Sequence, residues 1–88
     1  MKSWRTPRFK AWYAALPAAA QRHADEAYRL WRENPRHPGL RFKPIDPSDP
    51  SVYSVRIGGH YRAIGSFEPS GDFLWHWIGS HAEYDKLT

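Results

Sequence analysis

The 88-residue sequence contains no cysteine, which excludes a disulfide framework, a cysteine zinc site and a thiol nucleophile. No stretch approaches the ~18 consecutive apolar residues needed to cross a bilayer. The N-terminus is basic, but no apolar run of about 7–15 residues follows it, so no secretory signal is expected. These absences point to a cytoplasmic protein without a membrane partner. Internal repeats and low-complexity tracts are absent as well. There is no glycine-rich phosphate loop and no Ser-His-Asp signature. No two histidines have the i, i+4 spacing of a helical metal site, and no carboxylate completes a ligand set, so neither a metal nor a cofactor is expected. The length suits one small domain over residues 1–88, just above the range in which chains usually need a covalent or metal staple.

What is present is a globular composition, 41% hydrophobic and 25% charged. Five Trp, five Tyr and four Phe predict an aromatic-heavy core. Thirteen Lys and Arg against nine Asp and Glu give a net charge of +4, and nine of the thirteen bases are arginine. Arginine is favoured where a planar, bidentate grip on phosphate or carboxylate is needed. The excess therefore suits either a nucleic acid or an acidic protein partner.

Two helices are expected first. Thr6-Pro7 reads as an N-cap followed by proline at the first helical position. Phe9, Trp12, Tyr13 and Leu16 then recur at helical spacing on one face. Pro17 ends that helix and opens a second, which runs to Asn34. Its stripe is Ala20, Ala24, Ala27, Tyr28 and Trp31, with Leu30 beside it. Asn34-Pro35 stops it, because the residue before proline avoids the helical region. The short connection predicts an antiparallel helical hairpin.

Four strands are expected next. Leu40 to Ile45 alternates, with Pro44 marking an edge or an early end. Val52 to Ile57 sets Tyr53, Val55 and Ile57 against Ser54 and Arg56. Gly58-Gly59 signals a hairpin, and His60 to Phe67 returns, with Tyr61, Ala63 and Gly65 opposite Arg62 and Ile64. Phe73 to Ile78 is the most apolar run and is placed centrally; alternation puts His76 on the side of Leu74 and Ile78. Ser80 to Glu83 has the spacing of a capping box, so a short helix begins there. The expected fold is α+β: a helical hairpin packed on a small, mostly antiparallel four-stranded sheet, with a short C-terminal helix.

Two groups of side chains carry chemistry. Arg56 and Arg62 flank the hairpin turn and project from the same sheet face. Two guanidiniums there repel unless an anion sits between them or carboxylates such as Asp46, Asp49 or Glu68 neutralise them. The first alternative is a phosphate site. His81 and Tyr84, three apart after the last strand, share a helical face. Histidine suits proton transfer near neutrality; the alternative is that Tyr84 docks α-helically on the core. His60 lies at the turn as a solvated or reactive residue. His23 and His37 fall on a helix surface and in a loop.

The run Leu40-Arg-Phe-Lys-Pro-Ile45, then Tyr53 to Ile64 and Leu74 to Leu87, following a helix pair that ends at Asn34-Pro35, resembles the RelE/ParE toxin superfamily over nearly the whole chain. The resemblance implies a toxin of a bacterial type II toxin–antitoxin pair, silenced by a cognate antitoxin. RelE-like members cut mRNA in the ribosomal A site; ParE-like members inhibit DNA gyrase. Members usually begin with a strand, which here is expected to be very short or missing, since only Met1 to Arg5 precede Thr6. By resemblance Arg62 matches the arginine after the hairpin turn of the nucleases. Arg56 lies close to a basic residue of the preceding strand, His81 falls at their post-strand basic or acid–base position, and Tyr84 lies near their C-terminal tyrosine. These four are the expected catalytic residues of a ribosome-dependent endoribonuclease. Arg41, Lys43 and His60 are the expected RNA contacts, and Lys2, Arg5, Arg8 and Lys10 are expected to hold ribosomal RNA. The alternatives are a gyrase inhibitor and an inactive antitoxin-binding protein.

Overall fold

A computed structural model describes residues 1–87. Thr6 caps α1 (Pro7–Ala14): its Oγ1 accepts a hydrogen bond from the Phe9 amide at 3.1 Å, and Pro7 fills the first turn. Pro17 precedes α2 (Ala18–Glu33), which ends at Asn34. The Tyr13 hydroxyl donates to Asp25 at 2.7 Å and the Gln21 amide to the Tyr13 carbonyl at 3.0 Å, tying the two helices together. Of the expected stripe on α1, Phe9 is buried and Tyr13 and Leu16 pack at the margin of the core, but Trp12 is exposed. An eight-residue helix lying on the strand Phe73–Ser80 has room to bury little more than one ring.

The sheet has five strands rather than four, in the order β1-β5-β4-β3-β2. The extra one is β1 (Ser3–Arg5), which pairs in parallel with β5 (Phe73–Ser80) through Ser3–Phe73, Trp4–Leu74 and Arg5–Trp75. The remaining pairs are antiparallel. The mixed sheet keeps the α+β class and moves β4 (Tyr61–Phe67) to the centre, with β5 beside it. The expected strand from Leu40 shrinks to β2 (Lys43–Pro44). Before it, Pro38–Leu40 forms a 3₁₀ turn capped by the His37 imidazole, and Arg41 takes a left-handed conformation with φ 46°. Proline and glycine favour that turn over extension, and Pro44 cannot donate to a ladder. β3 (Val52–Ile57) lies as expected.

α1 packs mainly on β5 and α2 on β3, so one sheet face is covered by the helices. The core between them is aromatic. The Trp31 ring centroid lies 5.1 Å from that of Phe73 and 5.0 Å from that of Trp75, both at steep angles. The Trp31 and Trp75 Nε1 groups are buried without an oxygen or nitrogen partner. Rings meeting edge to face offer such N–H groups a weaker π acceptor.

One irregularity decides what each face carries. Gly65 pairs with Trp75 but Ile64 pairs with Trp77, so His76 is an extra residue on β5. This bulge breaks the expected alternation. Ile78, expected beside Leu74 and His76, is instead 2% exposed in the core, and Trp77 moves to the opposite face. α3 (His81–Leu87) follows β5 directly. Among the described residues, no helix is long and apolar enough to cross a membrane.

Candidate functional site

The face of the sheet away from the helical hairpin holds the arginine pair read from the sequence. Arg56 and Arg62 stand directly opposite each other across β3 and β4. Each guanidinium is tethered by one N–H: Arg56 Nε donates to the Gly58 carbonyl at 2.9 Å, and Arg62 Nη1 to the Tyr61 carbonyl at 2.8 Å. The tight turn that makes this possible has Gly58 at φ +56°, a conformation glycine adopts without strain. Most of the donor capacity of both guanidiniums remains for a ligand.

Two of the carboxylates that might have neutralised this pair are engaged elsewhere. Asp46 accepts from the Ser48 amide and hydroxyl, and Asp49 from the same groups of Ser51. Among the described residues no ion pair reaches Arg56 or Arg62. Partial burial first, and then the positive charges of Arg56 and Arg41, lower the Arg62 pKa from its ordinary value, while Tyr84 and the Asp85 carboxylate act in the opposite direction and offset only part of it. Like charges opposed on a sheet are destabilising unless an anion bridges them.

α3 brings the second group. Its start is the capping box read from the sequence: the Glu83 amide donates to Ser80 Oγ at 3.1 Å, and the Ser80 amide donates to Glu83 Oε1 at 3.1 Å. These hydrogen bonds, the backbone one first, lower the Glu83 pKa. His81 Nε2 meets Asp85 at 3.2 Å, one helical turn on. A carboxylate on Nε2–H orients the ring and leaves Nδ1 as the proton acceptor in the neutral tautomer. The Tyr84 hydroxyl donates to Ser54 Oγ at 3.3 Å, reaching β3 across β4, and its ring stands edge-on to His81 at 6.2 Å. Tyr84 is thus docked on the open sheet face rather than on the core beneath the helices.

Of the remaining expected residues, Arg41 is near enough to act on Arg62 electrostatically. Lys43 lies opposite Ser54, the residue Tyr84 touches. His60 is exposed in the turn, and its carbonyl accepts from the His81 amide at 2.6 Å, so turn and helix start adjoin. Arg5 and Lys10 line a different feature, a pocket of about 490 Å³ between α1, α2 and the covered face of the sheet, and so stand apart from this group. His76 shares a hydrogen bond of 2.7 Å with Ser66. Asp85 and Trp77 were missed from the sequence. The i, i+4 spacing of His81 and Asp85 was a usable signal; nothing local announced the bulge that turns Trp77 outward. Among the described residues no group of three or more His, Asp or Glu could hold a metal ion.

Comparison with known proteins agrees with this architecture. A chain of the RelB–RelE antitoxin–toxin complex from Methanococcus jannaschii superposes with a TM-score of 0.71 at 13% identity, covering 96% of this chain and 98% of that one. The YoeB/ParE toxin from Agrobacterium tumefaciens gives 0.71 at 17% identity, covering 92% and 99%. The isolated E. coli RelE toxin gives 0.67 at 11% identity, covering 98% and 94%. No curated protein sequence matches significantly. The sequence profile of the ParE-like toxin domain, however, matches residues 18–86, from the start of α2 into the last turn of α3, and on that match the chain belongs to the ParE-like toxin domain family.

Proposed function

We propose that this toxin is a ribosome-dependent mRNA endoribonuclease, held silent by a cognate antitoxin. One observation carries the reading: two opposed guanidiniums that no ion pair reaches among the described residues share a sheet face with Tyr84, and the His81 imidazole, held by Asp85, stands edge-on to the Tyr84 ring. A purely adhesive surface has no need of a group poised for proton transfer.

The reaction uses the RNA's own nucleophile. His81 Nδ1 takes the proton from a ribose 2′-hydroxyl, and the freed oxygen attacks the adjacent phosphorus. The P–O5′ bond breaks, and the leaving oxygen takes up a proton. The products are a 2′,3′-cyclic phosphate and a 5′-hydroxyl. Arg62 and Arg56 bind the non-bridging oxygens, where charge accumulates, and this electrostatic contribution is ordinarily the largest. Tyr84 orients the substrate, while Arg41, Lys43 and His60 hold flanking RNA. A small partner with an acidic or amphipathic segment suits the basic face, as a RelB antitoxin accompanies RelE in the Methanococcus jannaschii complex.

Cleavage of mRNA on purified, programmed ribosomes tests the reading. Wild type is expected to give discrete cuts in the A-site codon. Arg62→Ala should slow them by roughly 10²–10³-fold, and His81→Ala by roughly 10²–10⁴-fold. Arg62→Ala cutting at the wild-type rate overturns the assignment. Inhibition of gyrase supercoiling by a protein that leaves mRNA intact overturns it in favour of the gyrase-directed alternative.

A further inference from the structure

We propose that Trp77 and Tyr84 form a platform for an unstacked nucleobase of single-stranded RNA, beside the Arg56–Arg62 pair. The proposal rests on the RNA reading above and adds a base site to its phosphate site.

The bulge at His76 is the first argument. Without it, Trp77 would point into the core and Ile78 outward. With it, Ile78 is buried and Trp77 lies partly exposed on the open face. A bulge also interrupts the ladder. Exchanging a tryptophan for an isoleucine in the core gives up the larger apolar area, so burial alone favours the opposite arrangement. The exchange is what a binding face requires. Bulges of this kind re-aim side chains next to active sites.

Position is the second argument. Gly79 is the cross-strand partner of Arg62. A Cβ built on Gly79 would stand 2.5 Å from Cζ2 and 2.9 Å from Cη2 of Trp77. The indole therefore lies over the backbone next to Arg62, in space that only a glycine leaves open. The Tyr84 ring lies 6.4 Å from it at 40°. Two rings beside a phosphate grip match the way single strands are held: a base stacks on an aromatic face while the backbone is fixed by cations. Stacking of this kind tolerates any base, so the platform orients a nucleotide more than it selects one.

The probe is a 2′-O-methyl RNA hexamer, which lacks the nucleophilic hydroxyl, together with an abasic version carrying the same sugars and phosphates. Wild type is expected to bind the base-bearing hexamer about tenfold more tightly than the abasic one. Trp77→Leu should erase that preference, Trp77→Phe should keep most of it, and Arg62→Ala should weaken both hexamers alike. A full preference retained by Trp77→Leu overturns the platform while leaving the RNA reading intact. Wild type that binds neither hexamer overturns both. A second measurement needs no destabilising variant. In protein labelled with 5-fluorotryptophan, the Trp77 ¹⁹F resonance, identified by its absence in Trp77→Phe, should move with the base-bearing hexamer and not with the abasic one. A resonance that stays still while that hexamer binds overturns the proposal.

Discussion

At the residue scale, stability and the proposed function pull against each other at Arg56. That it shares a face with Arg62 was legible from the alternation. The direct opposition was not, because a two-residue Gly58-Gly59 turn would set Arg56 against Tyr61, and the loop takes in His60 as a third residue. Replacing one member of a like-charged cross-strand pair relieves repulsion. Arg56→Gln is therefore expected to raise the unfolding free energy by about 0.5 kcal/mol in urea titration while slowing cleavage. Gly65 shows the reverse. The sequence placed it on the core face, but not the reason it must be glycine. An added Cβ would stand 2.2 Å from the Phe73 ring and 2.7 Å from the Leu74 carbonyl oxygen. The backbone oxygen cannot step aside as a flexible side chain can. Gly65→Ala is expected to cost about 3 kcal/mol, the upper end for overpacking, read as a lower urea midpoint with an unchanged slope.

At the scale of elements, legibility followed chemistry that is local in the chain. Caps and breakers were readable because Thr6, Pro17, Pro35 and the Ser80–Glu83 box act within a few residues. Features decided by distant partners were not. β1 is three residues long and pairs with a strand some seventy positions away. The bulge at His76 is a matter of register between β4 and β5, invisible to simple alternation. α3 combines both cases. Seven residues are too few for a helix to stand alone, so its order depends on the capping box and on the contact of Tyr84 with Ser54. Glu83 has a folded pKa below its ordinary 4.5 because the Ser80 amide and hydroxyl bond its carboxylate. A depressed folded pKa contributes stability that is fully present above the unfolded value and lost as pH falls through the folded one. Amide protection over residues 81–87 should therefore decline as pH drops below about 4.5. In Glu83→Gln this particular acid loss should be absent, because nothing at that position titrates. Persistence of the same decline in Glu83→Gln would assign it to another carboxylate.

At the scale of the molecule, the net charge of +4 was an ambiguous signal, since it suited nucleic acid and acidic protein equally. The fold resolves the charge by location. Arg56 and Arg62 oppose each other on the open face, Arg41 lies within electrostatic reach, and Lys43 lies across from the Tyr84 contact. Arg5 and Lys10 sit by the helical hairpin instead. Only the first group should release counterions when a single strand binds. If about three phosphates are neutralised, the logarithm of affinity should fall with the logarithm of salt at a slope of about −2, and Arg56→Gln should make that slope shallower by about 0.7. Neutralising Lys10 should leave the slope unchanged, because that side chain lies at the hairpin pocket. A slope that responds equally to Lys10→Gln and Arg56→Gln would mean that RNA wraps both faces, contrary to a site confined to the open sheet. Anisotropy titrations of the 2′-O-methyl hexamer at several salt concentrations distinguish the two outcomes, because only a confined site makes the loss of one charge depend on where that charge sits.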